Sequence, residues 1–471
     1  MARKRGVDTL QCSVKRVHMV GIGGVGMSAL AHALHDRGIR VSGSDIAASD
    51  RVISLRQLGI EITVGHRASN LGDADLVVHT TAVRADNPEL AEARARNIPI
   101  WHRSQLLADF LGGKRGLAIA GTHGKTTTTA MVGKVLADTG HDPTVFLGGI
   151  ALDYNSNYRL GRSDIVVFEA DESDASFHHY LGCSQAITNI EPDHLDQHHD
   201  FATVQGVFER FIAIGDPEGF LIYGADSPAL FPLAASCPGT ARSFSLRYAG
   251  AGYYAQAINS DNGCDTCRLH IDGVYACDIT LPVPGSHNIA NALAAVGMAH
   301  MLGVDPSDAA ESLASFAGTG RRFQLVYEDG PLHLYDDYAH HPTEIRAALR
   351  AARRKHPEAH ITAVFQPHLP SRTRFLLNDF ARAFGDADTI VLTSIYESRE
   401  DPIPGFSAQA LADRIAVVAR AKELHYIAER DDLLGFLAAR MPQEQVVVFI
   451  GAGDINGVSS RLAEQLGATA E

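Results

Sequence analysis

The chain has 471 residues, more than one hydrophobic core usually organises, so two or three domains are expected. Hydrophobic residues make up 45% and charged residues 20%, the balance of an ordinary soluble globular protein. A net charge of −14 excludes the basic footprint that nucleic acid or an anionic membrane requires, so any anionic ligand must be held by local amides and cations.

At the N-terminus, Arg3, Lys4 and Arg5 lead into Asp8 and Gln11 and not into an apolar run, which reads as a loose basic leader, not a signal peptide. No stretch of 18 apolar residues occurs, and six cysteines are too sparse for a disulfide framework; a cytoplasmic protein is expected. Short β-branched runs then alternate with Ala/Leu-rich helical stretches, at residues 16–20, 75–80, 116–120, 164–170, 360–365, 388–394 and 445–452. Continuous apolar runs of this kind predict parallel strands covered on both faces, a doubly wound α/β architecture repeated more than once. Glycine-bearing seams at 110–116 and 318–322 predict domain boundaries and hinges. The stretch 240–285, rich in Gly, Tyr, Asn and Asp, predicts hairpins. Within it Cys264 and Cys267 form a CxxC with Cys277 nearby; no second CxxC or HxxxH completes a zinc site, so the pair reads as a turn in a reducing compartment.

The first phosphate loop is GIGGVG, with Gly21, Gly23 and Gly26 in G-x-G-x-x-G spacing between a strand and a helix. A second strand ends at Asp45, about 20 residues on, where a ribose hydroxyl is held in such folds. The bland alternative is a tight βα turn with small residues. The second loop, GTHGKTTTT, follows the strand at 116–120: Lys125 suits β/γ-phosphates, Thr126 suits Mg²⁺, and the amides of Gly124 to Thr127 form an anion nest. Its leading glycine is Gly121, and Ile119 stands where the usual spacing has one. Two phosphate loops imply two phosphorylated ligands.

Downstream, EADESD (169–174) places Glu169 at a strand end, where an acid meets Mg²⁺; Asp171, Glu172 and Asp174 remain unassigned. His194, in EPDHLDQHHD, is expected as a second metal ligand, whereas His198 and His199 read as solvent-facing. Asn288 and Asn291 stand three apart at a helix start, where one alone reads as an N-cap. Arg321 and Arg322 read equally as an exposed linker pair, and Asp336 and Asp337 as a strand end before Pro342. In QPHLPSRTR, His368, Arg372 and Arg374 suit a loop that clamps a carboxylate.

GTHGKTTTT, EADESDASF, TNIEPDHLD, PGSHNIANALAA, GTGRRF and DDYAHHPTE follow one another as in the Mur ligases, which the chain resembles from about residue 15 to 460. The resemblance implies a fold of three domains: a Rossmann-like domain for a UDP moiety (1–111), a central P-loop ATPase-like mononucleotide-binding domain (112–320), and a Rossmann-like C-terminal domain for the amino acid (321–471). It implies ATP and Mg²⁺ as cofactors, UDP-N-acetylmuramate and L-alanine as small-molecule substrates, and neither nucleic acid nor membrane as partner. The ATP site then comprises Gly121, Thr122, His123, Gly124, Lys125, Thr126, Thr127, Asn288, Asn291, Arg322 and Asp337. Metal falls to Thr126, Glu169 and His194, and catalysis to Lys125, His194 and Arg322. The UDP site adds Gly24 and His66 to Gly21, Gly23, Gly26 and Asp45; Tyr338, His340, His368 and Arg372 take the amino acid.

Two departures matter. Relatives carry a basic residue after the His368 position, and here it is Leu369, then Pro370, which leaves Arg372 for the alanine carboxylate. No lysine lies between Lys134 and Lys355, so the carbamylated lysine of other branches has no counterpart, and activity independent of CO₂ is expected. A nicotinamide dehydrogenase leaves GTHGKTT without a purpose, and a P-loop switch leaves GIGGVG without one. Within the family, the rival is the ligase that attaches a whole tripeptide.

Overall fold

The computed structural model describes residues 14–172, 176–192, 200–261, 263–398, 400–419, 422–441 and 445–469. Apolar runs become strands sealed on both faces: Val446–Ile450 (VVVFI) and Ile361–Phe365 (ITAVF) are buried at every position. The result is an α/β protein of three sheets.

The first sheet is parallel, with β1 (Arg16–Val20), β2 (Arg40–Asp45), β3 (Glu61–Val64), β4 (Leu76–His79) and β5 (Ile100–His102) in the order β3-β2-β1-β4-β5. The order reverses at β1, which pairs with both β2 and β4, so a crevice opens beyond its C-terminal end, where ligands of such sheets bind. Residues 21–24 fill that turn and lead into α1 (Val25–Asp36).

The second sheet has ten strands. β6 (Arg115–Ala120) lies between β10 (Ser184–Ile187) and β9 (Ile165–Glu169), and its C-terminal end runs through residues 121–124 into α2 (Lys125–Asp138). β7 (Thr144–Ala151) and β8 (Ser156–Arg159) close one edge, while β11 (Phe220–Gly224) and β12 (Thr240–Ser245) extend the other. There β13 (Tyr253–Asp261), β14 (Cys264–Ile271) and β15 (Val274–Leu281) form an antiparallel meander, in keeping with the hairpins expected of this stretch. The CxxC is a correction: Cys264 and Cys267 lie in strand β14, not in a turn, and three residues apart on a strand they face opposite sides. A helix, α3 (Ser286–Met301), packs against α2.

The third sheet runs β16 (Gln324–Asp329), β17 (Leu332–Asp337), β21 (Val446–Ile450), β18 (Ile361–Phe365), β19 (Thr389–Leu392) and β20 (Glu423–Tyr426), parallel except for β16. α4 (Pro342–Lys355) follows β17 with Pro342 in its first turn and a capping box between His341 and Glu344.

The units are sewn together. Phe110 meets Phe146 of β7 at 5.5 Å, and the Asn157 amide donates to Val25 O at 2.6 Å and Ser28 Oγ at 2.9 Å. In the linker, Gly318 O accepts from Leu152 N and Gly320 N donates to Ile150 O, so the glycines of this seam are fastened to the central sheet. No helix of the described residues is long and apolar enough to cross a membrane.

Candidate active site

The loop after β6 works only with glycine at two points. Gly121 and Gly124 have φ of +131° and +85°, and a Cβ at Gly124 would overlap the Asn291 amide. Lys125 folds back over the loop, donating to Gly121 O at 2.6 Å and to both Glu172 oxygens at 3.0 Å. Burial alone would lower the Lys125 pKa; Glu172, Asp171 and Glu169 hold it above its usual range, so the ammonium stays charged.

Glu169 ends β9 beside β6, as expected of a strand-end acid. Its Oε2 accepts from Thr126 Oγ1 at 2.8 Å and Gly148 N at 2.9 Å. A hydroxyl and a carboxylate oxygen this close, at the mouth of an anion nest, form the hard-oxygen donor set that Mg²⁺ prefers. His194, like Asp174, His198 and His199, lies outside the described residues.

His123 lines two cavities and is also held by protein partners. Its backbone N–H donates to Asn189 Oδ1 at 2.9 Å, while its ring lies between Glu344 (Nδ1–Oε1, 3.1 Å) and Glu191 (Nε2–Oε2, 3.5 Å). Burial would lower its pKa, but the two carboxylates raise it to about 9, and the ring is an imidazolium bridging the central and third sheets. His341 lies within 4.8 Å of both His123 and Glu191, a grouping with metal-ligand chemistry. Its Nδ1 accepts the Thr343 N–H of the helix cap, and the pairing of His123 with Glu191 and Glu344 makes the cluster an ion-pair clasp. Glu344 completes it, accepting also from His340 N and lying 3.7 Å from Arg322.

Asn288 and Asn291 are not N-caps: α3 starts at Ser286 after Gly285, and the two amides face each other at 3.3 Å. They line a cavity of about 440 Å³ with Gly124, Thr127, Arg322 and Asp337. Asp337 accepts from Phe323 N and Ala339 N, and burial pushes its carboxyl up to about 6 against the pull of Arg322. The two linker arginines differ in role. Arg321 is bound to Asp336 at 3.1 Å and Gly451 O at 2.6 Å, whereas Arg322 faces the cavities.

A second cavity of about 380 Å³ shares His123, Gly124, Thr126, Arg322 and Glu344 with the first, and adds Lys125 and Glu169. Tyr338, His340, His368 and Arg372 line it from the third sheet. Arg372 is buried with Nη1 3.3 Å from His368 Nδ1, and Arg374 is exposed on the same short helix, Pro370–Phe375. Leu369, buried at φ +68°, turns the chain into that helix. Of the first sheet's predicted residues, only Gly26 lines this cavity. Gly21 (φ +78°), Gly23 and Gly24 form the turn, and Asp45 Oδ2 accepts from Gly23 N at 2.8 Å. His66 follows β3, with Nδ1 3.0 Å from Ser44 Oγ.

Sequence reasoning missed Arg103, which lines the cavity beside Gly26 and meets Asp171 at 3.2 Å, tying the first unit to the acid loop. It also missed Glu172 as the partner of Lys125, and Glu344. Only Glu344 had a signal, the HPTE capping pattern before a helix.

Comparison with known proteins agrees along the chain. Residues 16–115 match the Mur ligase family catalytic domain, 119–299 the Mur ligase middle domain and 321–453 the Mur ligase glutamate ligase domain. The chain is 42% identical to the UDP-N-acetylmuramate–L-alanine ligase of Rubrobacter xylanophilus, covering 96% of this chain and 100% of that one. It is 41% identical to the enzyme of the same name from Agrobacterium fabrum, over 96% of each. The crystal structure of the UDP-N-acetylmuramate–alanine ligase of Thermotoga maritima superposes with a TM-score of 0.83 at 34% identity, covering 96% and 99% of the two chains. A murein peptide ligase from Psychrobacter arcticus, at 24% identity and a TM-score of 0.74, shares the fold. With three family domains matched in order and relatives 42% and 41% identical over nearly the whole chain, this chain belongs to the Mur ligase family.

Proposed function

We propose that the chain is an ATP- and Mg²⁺-dependent ligase that joins L-alanine to the lactyl carboxylate of UDP-N-acetylmuramate through an acyl phosphate, in the cytoplasm. Residues 1–111 hold the UDP end, 112–320 the ATP, and 321–471 the amino acid. One observation carries this reading: Gly26, Lys125, Glu169, Arg322, His340 and Arg372, from all three sheets, line one cavity. A carboxylate, a γ-phosphate and an amine must meet at such a point for amide formation, because a free carboxylate is a poor electrophile.

Lys125 exchanges Glu172 for phosphate oxygens, and Arg322 turns its guanidinium to the same group, so both cations stabilise charge on the transferring phosphoryl. Mg²⁺ would be held by Thr126 and Glu169, with His194 as the further ligand expected from the sequence, and would supply further charge neutralisation there. The lactyl carboxylate attacks the γ-phosphate, giving an acyl phosphate and ADP. Arg372 fixes the alanine carboxylate with its planar fork, orienting the amine toward the acyl carbon. The neutral amine attacks the acyl carbon, and the tetrahedral intermediate expels phosphate, which leaves with the proton lost from the nitrogen as the amide forms. The buried clasp around His123 and Glu344 keeps water out while the acyl phosphate exists.

Phosphate release measured with ATP, UDP-N-acetylmuramate and, in turn, L-alanine, glycine, L-serine and a muropeptide tripeptide tests the proposal. L-Alanine is expected to give the highest kcat/KM. Preference for the tripeptide would transfer the chain to the peptide-attaching branch, and release that needs no sugar nucleotide would end the ligase reading.

A further inference from the structure

Beside the glycine loop of the first sheet, a buried carboxylate lies next to the partly exposed ring of His66. Glu89, fully buried at the start of the helix Pro88–Ala95, accepts four hydrogen bonds. Oε1 takes the Asn70 amide at 2.6 Å and Arg67 N at 3.2 Å; Oε2 takes the Ser44 hydroxyl at 2.6 Å and His18 Nε2 at 3.3 Å. Burial alone would raise its pKa, but the bonds from His18, Ser44 and Asn70 bring it down to about 2, so the group stays an acceptor-only carboxylate.

Ser44 has a single O–H and spends it on Glu89. Toward His66 Nδ1, at 3.0 Å, its oxygen can therefore only accept. The other group near that nitrogen is Glu89 Oε2 itself, at 3.6 Å. With acceptors on both sides, Nδ1 is the nitrogen that donates, and in that tautomer Nε2 is an acceptor. The side chain is 18% exposed and follows β3, next to the end of β2, where Asp45 O accepts from Gly65 N. Ser44 also sets the phosphate turn, since its carbonyl accepts from Gly21 N at 2.8 Å and Ile22 N at 3.1 Å.

We propose that Glu89 and Ser44 are positioning residues that fix the tautomer of His66, so that its Nε2 accepts the N3–H of uracil and selects uridine over cytidine in the sugar nucleotide. The inference rests on the functional reading above for the identity of the ligand. Uracil N3 carries a hydrogen; cytosine N3 carries a lone pair, which would meet the lone pair of Nε2. A site whose buried polar groups are arranged for one partner rejects the analogue that leaves them unpaired.

The test has two readouts. Long-range ¹H–¹⁵N spectra of histidine-labelled protein at about pH 8, with His66 identified by the signals lost in His66→Gln, report which nitrogen is protonated. Nδ1 is expected, and a proton on Nε2 overturns the proposal whether or not any variant folds. Binding of UDP against CDP, and turnover of UDP- against CDP-N-acetylmuramate, give the base preference. Ser44→Ala is expected to lower the uridine-over-cytidine ratio of kcat/KM by about tenfold or more. The change should lie in KM, with kcat at saturation held within about twofold. An unchanged ratio in a Ser44→Ala protein that retains the parental KM for ATP refutes the mechanism. Loss of all ligase turnover with UDP still bound over CDP would sink the ligase reading and keep this one; equal binding of UDP and CDP with turnover intact would sink this one alone.

Discussion

Lys125 sits among its own protein's oxygens, and that arrangement sets what its removal does. On the function proposed above, Lys125→Ala takes away a cation that stabilises the transferring phosphate, so kcat should fall by on the order of 10³, with binding of the UDP substrate retained. Turnover near the parental rate would show that the loop after β6 is not the phosphate cradle. Glu172→Gln should act in the opposite sense on binding. It removes the carboxylate with which ATP competes for the ammonium, and KM for ATP should drop roughly threefold to tenfold; an increase would mean Glu172 helps to hold the nucleotide. At this scale the sequence was legible where chemistry imposes local spacing. Lys125 and Thr126 are adjacent in a glycine loop, and Glu169 ends an obvious strand. Glu172 and Arg103 were not legible, because their partners lie 47 and 68 positions away and each alone is an ordinary charged residue.

At the scale of elements, α4 illustrates a helix end with two employments. Glu344 caps its own helix, accepting from His341 N, and the same carboxylate holds His123 and faces Arg322. Glu344→Gln keeps a side chain that can serve the capping box but removes the charge, and kcat/KM for ATP should fall by about tenfold with secondary structure intact. Glu344→Ala should lose the cap as well, costing about 1 kcal/mol more in thermal or denaturant unfolding. Equal stability of the two variants would mean that the cap contributes nothing here. Gly124→Ala tests the cradle directly. Its φ of +85° and the Asn291 amide in the way should cost at least about 1 kcal/mol and raise KM for ATP. Strands such as β21 announced themselves because burial on both faces demands unbroken apolar sequence. β8, reading SNYR at a sheet edge, carries no such demand and gave no signal. The CxxC misled for a related reason: two cysteines with a metal-like interval say nothing about backbone until the strand's two-residue period is imposed on them.

For the molecule as a whole, the resemblance implied three units, but no sequence pattern says how they are held against one another. The structure answers with polar contacts across the seam of the second and third sheets: ion pairs of His123 with Glu191 and Glu344 and of Arg354 with the buried Asp265 at 3.1 Å, and a hydrogen bond from Thr343 Oγ1 to Glu191 at 2.8 Å. The clasp is charged, so closure without ligand should depend on pH. Although burial opposes it, the two carboxylates raise His123 from 6.5 to about 9. A group raised on closing contributes its stabilisation in full below its open-state pKa and loses it as pH climbs through the closed-state value. The closed arrangement should therefore be firm at pH 6 and relax as pH passes through about 9. The rise corresponds to roughly 3 kcal/mol at most, and this belongs to the cluster once, since the same contacts depress Glu191 and Glu344. Small-angle scattering of the ligand-free protein from about pH 6 to 10 should show the radius of gyration growing near the top of that range. His123→Gln should remove that step and leave any expansion from lysines or tyrosines, which titrate in both proteins. A radius that tracks pH identically in parent and variant would mean the clasp does not hold the units together, and the seam would then rest on Arg354, Asp265 and the linker fastened at Gly318 and Gly320.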